Sequence, residues 1–218
     1  MKRNATKIGA IGLLILLFPA LRTQAQGNRT WGLGPELGVN FAKFKGNNFS
    51  NTFKAGVVAG FSVTHSVIDN FGITGKALLT QRGAKFKFAN TGAAGTPINN
   101  VDVTRTLNYL EIPLLARFFL SKEGKFRPNL FVGPSFGFLF GGTTQTGNGD
   151  AVKIPAYKNL YNTFDFGLTG GLGLNYEVAD ETRLLLDARY VHGLSKVNKI
   201  GDSNNQGITV SVGVSFGF

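Results

Sequence analysis

GITVSVGVSFGF, residues Gly207 to Phe218, alternates without a break. Ile208, Val210, Val212, Val214, Phe216 and Phe218 are apolar, and Gly207, Thr209, Ser211, Gly213, Ser215 and Gly217 between them are small or polar. A period of two makes a strand with two unlike faces. The apolar face runs through to an aromatic residue, while the other face carries nothing large enough for an ordinary core. That combination suits a strand with lipid on one side and a narrow, polar barrel interior on the other. An edge strand of a soluble sandwich gives a similar pattern, so the rest of the chain has to decide.

Seven further segments repeat the alternation: Trp31–Phe44, Phe53–Val67, Phe71 to about Phe86, about Thr104 to Phe119, Pro128–Phe140, Thr163–Val178 and Arg183–Leu194. The segment from Thr163 is the clearest. Phe164, Phe166, Leu168, Leu172, Leu174 and Tyr176 alternate there with Asp165, Gly167, Thr169, Gly171, Gly173, Asn175 and Glu177. With the terminal segment the expected strands number eight, an even count that closes into a barrel filled by its own side chains. The predicted fold is all-β: an eight-stranded antiparallel transmembrane barrel, an up-and-down meander closed by its first and last strands. No helix is expected after the first 25 residues.

The connections alternate in length. Ile68–Asn70, Ser121–Arg127 and Ala179–Thr182 are short; Lys45–Thr52, about Ala89–Val103, Gly141–Asn162 and Ser195–Gln206 are longer and rich in Gly, Asn, Thr and Ser. A soluble sandwich has no reason to sort them this way, whereas an outer-membrane barrel has short periplasmic turns and long outer loops. The expected location is therefore the outer membrane of a Gram-negative bacterium, with both termini periplasmic. Aromatic residues near the strand ends form two expected girdles in contact with lipid. Trp31, Phe71, Phe118, Tyr176 and Phe218 belong to the short-turn end, and Phe41, Phe53, Phe140, Phe164 and Tyr190 to the long-loop end.

Composition agrees with one exported domain. The 218 residues include 30 Gly and 20 Phe but no Cys, which excludes disulfides and thiolate metal sites. Lys2, Arg3 and Lys7 precede an eleven-residue apolar run, Ile8–Phe18. Pro19 ends it, and Thr23-Gln24-Ala25 resembles a cleavage site. Residues 1–25 therefore read as a removable signal peptide, and residues 26–218 as a single barrel domain. Removing the segment lowers the formal charge from +11 to +7, because Lys2, Arg3, Lys7 and Arg22 go with it.

Strand parity turns eleven charged residues inward: Glu36, Lys54, Lys76, Arg82, Glu111, Arg117, Asp165, Glu177, Arg183, Asp187 and Arg189. Unpaired buried charge is costly, so a structural network of ion pairs is expected. The competing reading is a charge-lined conduit. Catalysis on lipid would require a nucleophile beside a base. His192 and Ser195, with Asp187 and Asp202 around them, are the nearest pair in sequence, and their spacing matches no nucleophile motif. No catalytic residue, metal cluster or cofactor loop is assigned. Lys85–Phe88, KFKF, alternates basic and aromatic residues. It reads as a contact with anionic lipid headgroups and not with nucleic acid.

Five segments carry a family resemblance: LNYLEIPLLARF (Leu107–Phe118), RPNLFVGPSFGFLF (Arg127–Phe140), FDFGLTGGLGLNYE (Phe164–Glu177), LLLDARYVHGL (Leu184–Leu194) and the terminal aromatic residue. Together they resemble the PorT-like outer-membrane β-barrel family of Bacteroidota. The resemblance implies an outer-membrane barrel, with Phe216 and Phe218 in the segment recognised by the barrel-assembly machinery. The family's namesake is implicated in protein export through the type IX secretion system, but most members have no assigned role. The expected role is structural or interactive, with outer-membrane lipid and an envelope protein as partners. A narrow small-solute porin is the alternative, and a lipid-modifying enzyme the third reading.

Overall fold

The computed structural model describes residues 30–46, 51–91 and 97–217. The expected signal segment and Phe218 lie outside the described residues. The elements are β1 (Trp31–Gly46), β2 (Asn51–Ile68), β3 (Phe71–Thr91), β4 (Pro97–Phe119), β5 (Phe126–Thr146), β6 (Val152–Lys153), α1 (Tyr157–Leu160), β7 (Phe164–Ala179), β8 (Thr182–Gly193) and β9 (Ser203–Gly217). Every long strand pairs antiparallel with its neighbours, β5 with β7, and β9 returns to β1. Eight strands thus close a ring, and the two-residue β6 adds to the end of β5.

Closure follows from the solvent. In hydrocarbon a free strand edge leaves N–H and C=O groups without partners. The β1–β9 seam removes that edge from Gly32↔Gly217 to Gly46↔Ser203. Leu37, Val39 and Phe41 of β1 face outward beside Val212, Val210 and Ile208 of β9. Across the molecule the outward apolar residues stay exposed, Leu37 at 61% and Leu172 at 62%, while inward Glu36 is at 3% and Glu111 at 1%. The expected facing of all eight strands is the observed one. Of the two expected girdles, Trp31, Phe118 and Tyr176 at one end and Phe41, Phe53, Phe140, Phe164 and Tyr190 at the other are exposed.

The boundaries differ from the sequence reading. β3 and β4 continue pairing to Thr91↔Pro97, so most of Ala89–Val103 is strand. β5 extends to Thr146, and β9 begins at Ser203, inside the expected connection Ser195–Gln206. These residues alternate poorly because the hairpins continue beyond the part of the barrel that needs an apolar outer face. A four-residue helix, Tyr157–Leu160, also forms where none was expected. The short turns are tight: Asp69 and Asn70 join β2 to β3, and Asp180 and Glu181 join β7 to β8. Glu181 takes φ +63°, the left-handed region such a turn requires.

Candidate functional site

Two ion-pair networks occupy the barrel interior. The one nearer the short turns is built on Asp187 of β8. Its Oδ2 lies 2.8 Å from Lys76 Nζ and 2.8 Å from Arg117 Nη2, and its Oδ1 accepts from Arg117 Nη1 at 3.0 Å. Lys76 Nζ also reaches Glu36 Oε2 at 2.6 Å, and Ser211 donates to Glu36 Oε1 at 2.6 Å. Arg117 Nη1 donates to Asn129 Oδ1 at 2.6 Å, and the guanidinium sits 4.6 Å from the centre of the Phe131 ring. Two cations thus balance two carboxylates through short, charge-assisted bonds.

Small residues make room for this packing. A Cβ on Gly173 of β7 would come within 2.4 Å of Asn129 Oδ1, 2.5 Å of Asp187 Oδ1 and 2.7 Å of Arg117 Nη1. One at Gly171 would meet the Phe131 ring at 2.7 Å. The inward face of β7 is therefore glycine-rich because β4, β5 and β8 project their large polar groups across it.

The second network lies nearer the long connections. Arg82 bridges Glu111 Oε2 at 3.0 Å and Asp165 Oδ2 at 2.8 Å. Asp165 also accepts from Asn205 at 2.8 Å and from Ser195 at 2.7 Å. Ser135 donates to Glu111 Oε1 at 3.2 Å, and Arg189 Nη2 approaches the same oxygen at 3.8 Å. Above it an apolar plug closes the barrel. Phe44, Ala84, Phe86, Leu107, Tyr109 and Leu139 come from strands, and Tyr161 and Val197 fold in from the connections. At the opposite end Arg127 lies over Phe119, with its guanidinium 4.3 Å from the ring centre.

Eight of the eleven inward charges from the sequence reading meet in these two networks. The other three stand elsewhere. Glu177 and Arg183 pair at 3.6 Å at the short-turn end, and Lys54 is buried beside Lys85. Strand parity assigns neither Asn205 nor Ser195 to the interior, because both belong to the expected connection Ser195–Gln206. Asn205 was recoverable, since it extends the inward parity of Gly207, Thr209 and Ser211. No sequence signal brings Tyr161 and Val197 into the plug. The His192 and Ser195 side chains point to different partners: His192 Nδ1 is 3.5 Å from Tyr190 Oη on the outer side, whereas Ser195 Oγ donates to Asp165.

Comparison with known proteins adds an independent line. Residues 24–199 match the family model described as Outer membrane protein beta-barrel domain. The crystal structure of Neisserial surface protein A (NspA) is similar at a TM-score of 0.53 and 16% identity, covering 88% of this chain and 100% of that one. OprG from Pseudomonas aeruginosa is similar at a TM-score of 0.48 and 13% identity, with 89% and 99% covered. The N-terminal barrel domain of Pseudomonas aeruginosa OprF gives 0.44 and 12%, with 88% and 100% covered. No curated protein matches the chain by sequence.

Proposed function

We propose that this chain, which belongs to the outer membrane protein beta-barrel domain family, is a closed scaffold in the outer membrane whose long connections engage another envelope component. The observation that carries the proposal is the filled interior. Arg127 on Phe119, the Asp187 network, the Arg82 network and the plug around Tyr161 succeed one another along the barrel. A conduit needs a wetted path with sites weak enough to leave, and buried ion pairs, among them the bidentate Arg117–Asp187 contact, supply neither. The orientation that suits this role puts both termini in the periplasm and the long connections outside. Within the family, the segments around Tyr109-Leu110-Glu111-Ile112-Pro113 favour the PorT-like members of Bacteroidota. An export assembly is therefore the first partner class to test. We read the chain as non-catalytic, in keeping with the separate partners of His192 and Ser195.

The deciding experiment is crosslinking in native outer membranes followed by affinity purification in mild detergent, with planar-bilayer recording on the same preparation. The expected result is a reproducible protein partner and no discrete conductance steps. A barrel recovered alone that conducts in regular unitary steps would replace the scaffold with a small-solute pore.

A further inference from the structure

A cavity of about 320 Å³ opens at the long-connection end, bordered by β1, β2, β3, β4 and the segment leading from β8 into β9. That is the lower end of the range for small-ligand sites, ~300–1,000 Å³. Its floor is aromatic. Phe44 and Phe86 have ring centroids 6.2 Å apart, and both belong to the plug, so whatever enters stops there. Arg105 lies over Phe86 with its guanidinium carbon 5.5 Å from the ring centre, and its Nη1 donates to Tyr161 Oη at 3.3 Å. These two contacts hold the planar guanidinium at the cavity wall. The rim is polar: Asn198 donates to Ser203 Oγ at 2.8 Å, and Asp202 pairs with Lys196 at 2.5 Å. Ile200 lines the cavity at its mouth, 87% exposed, beside Gly201 at φ +94°.

Arg105 and Asp202 are the charged residues that line the cavity, and Asp202 pairs with Lys196, at an end of the barrel whose sequence is rich in basic residues. Residues 43–54, 85–105, 146–162 and 194–206 carry ten Lys and Arg against three Asp. A clustered field of one sign raises the local concentration of the opposite ion. A guanidinium held at the wall presents a fork of donors that matches a carboxylate. The aromatic floor accepts the C–H face of a ring, and the amide and hydroxyl groups of the rim suit a molecule with several hydroxyls. An inorganic anion would leave the floor unused, and a neutral sugar would leave Arg105 unused. We propose that this cavity binds an acidic sugar, with its carboxylate on Arg105 and its ring across Phe44 beside Ile200. The proposal stands whether or not the long connections also hold a protein partner.

The test is saturation-transfer NMR on the mature full-length barrel in nanodiscs of zwitterionic lipid, with glucuronate, glucose and acetate as probes. Glucuronate should receive saturation and bind about tenfold more tightly than glucose, the discrimination expected for one charge-assisted contact. Arg105→Gln should remove that preference, and raised salt should weaken it. Ile200→Asp, at an exposed position where folding is insensitive, should weaken glucuronate more than glucose. It decides the matter if Arg105→Gln fails to give the folded, heat-modifiable form. Equal transfer to glucose and glucuronate, no transfer to either, or acetate competing as well as glucuronate would each overturn the assignment.

Discussion

At the scale of single residues, two inward arginines of the same parity sit in unlike surroundings. Arg117 grips both oxygens of Asp187, reaches Asn129 and lies on Phe131. Arg189, fully buried, comes no nearer than 3.8 Å to Glu111, and its Nε, Nη1 and Nη2 make no hydrogen bond among the described residues. Glu111 meanwhile keeps Arg82 at 3.0 Å and Ser135 at 3.2 Å. Breaking a tight buried pair strands its partner and costs about 3–5 kcal/mol. Removing a loosely held cation also removes its own unmet desolvation. Arg117→Met should therefore cost about 3–5 kcal/mol, and Arg189→Met less than half of that, measured as urea midpoints of the heat-modifiable form in detergent. Equal losses would show that Arg189 is held as firmly as Arg117. The sequence makes both residues inward by parity alone. It does not make them different, because parity fixes a side chain's face and not the height at which it meets the opposite wall.

At the scale of the strand, the seam between β1 and β9 is the most demanding element. The two strands are the most distant in sequence, yet they pair residue for residue, with Val39 opposite Val210. The chain has no cysteine, so a double substitution reads the register without background. Val39→Cys with Val210→Cys should crosslink under mild oxidation in the folded barrel. Val39→Cys with Ser211→Cys should not, since a one-residue shift sends the side chains to opposite faces. The reverse outcome would mean a slipped seam, and no crosslink in either would mean an open one. The facing of β9 was legible from Gly207–Phe218, where lipid demands alternation. The ends of the hairpins were not. Ala84–Phe88 still alternates, but in the opposite sense: Ala84 and Phe86 turn in to the plug while Lys85 and Lys87 face out. The plug needs apolar groups where the barrel needs polar ones, so the alternation persists there with its usual inside and outside exchanged, and alternation alone does not say which face is inner.

At the scale of the whole molecule, charge is distributed by end. The interior networks are balanced, with Glu36, Glu111, Asp165 and Asp187 against Lys76, Arg82, Arg117 and Arg189. Between residues 66 and 71, 120 and 128, and 177 and 183, the short-turn end carries four basic and five acidic residues. The excess of ten basic over three acidic residues is therefore confined to the long-connection end. Basic groups beside a bilayer are attracted to anionic headgroups, and here Lys43, set 4.8 Å from the centre of the Phe53 ring, joins outward Lys85 and Lys87 above the apolar band. Connection length is the ground for the proposed orientation, with the long, basic connections outside and the short turns toward the periplasm. Asn148, exposed at the tip after β5, and Lys122, exposed before it, report on opposite ends. In intact cells Asn148→Cys should react with a membrane-impermeant maleimide. Lys122→Cys should react only once the outer membrane is permeabilised. If Lys122→Cys labels first, the barrel is inverted, and the cavity around Arg105 faces the periplasm instead of the cell surface.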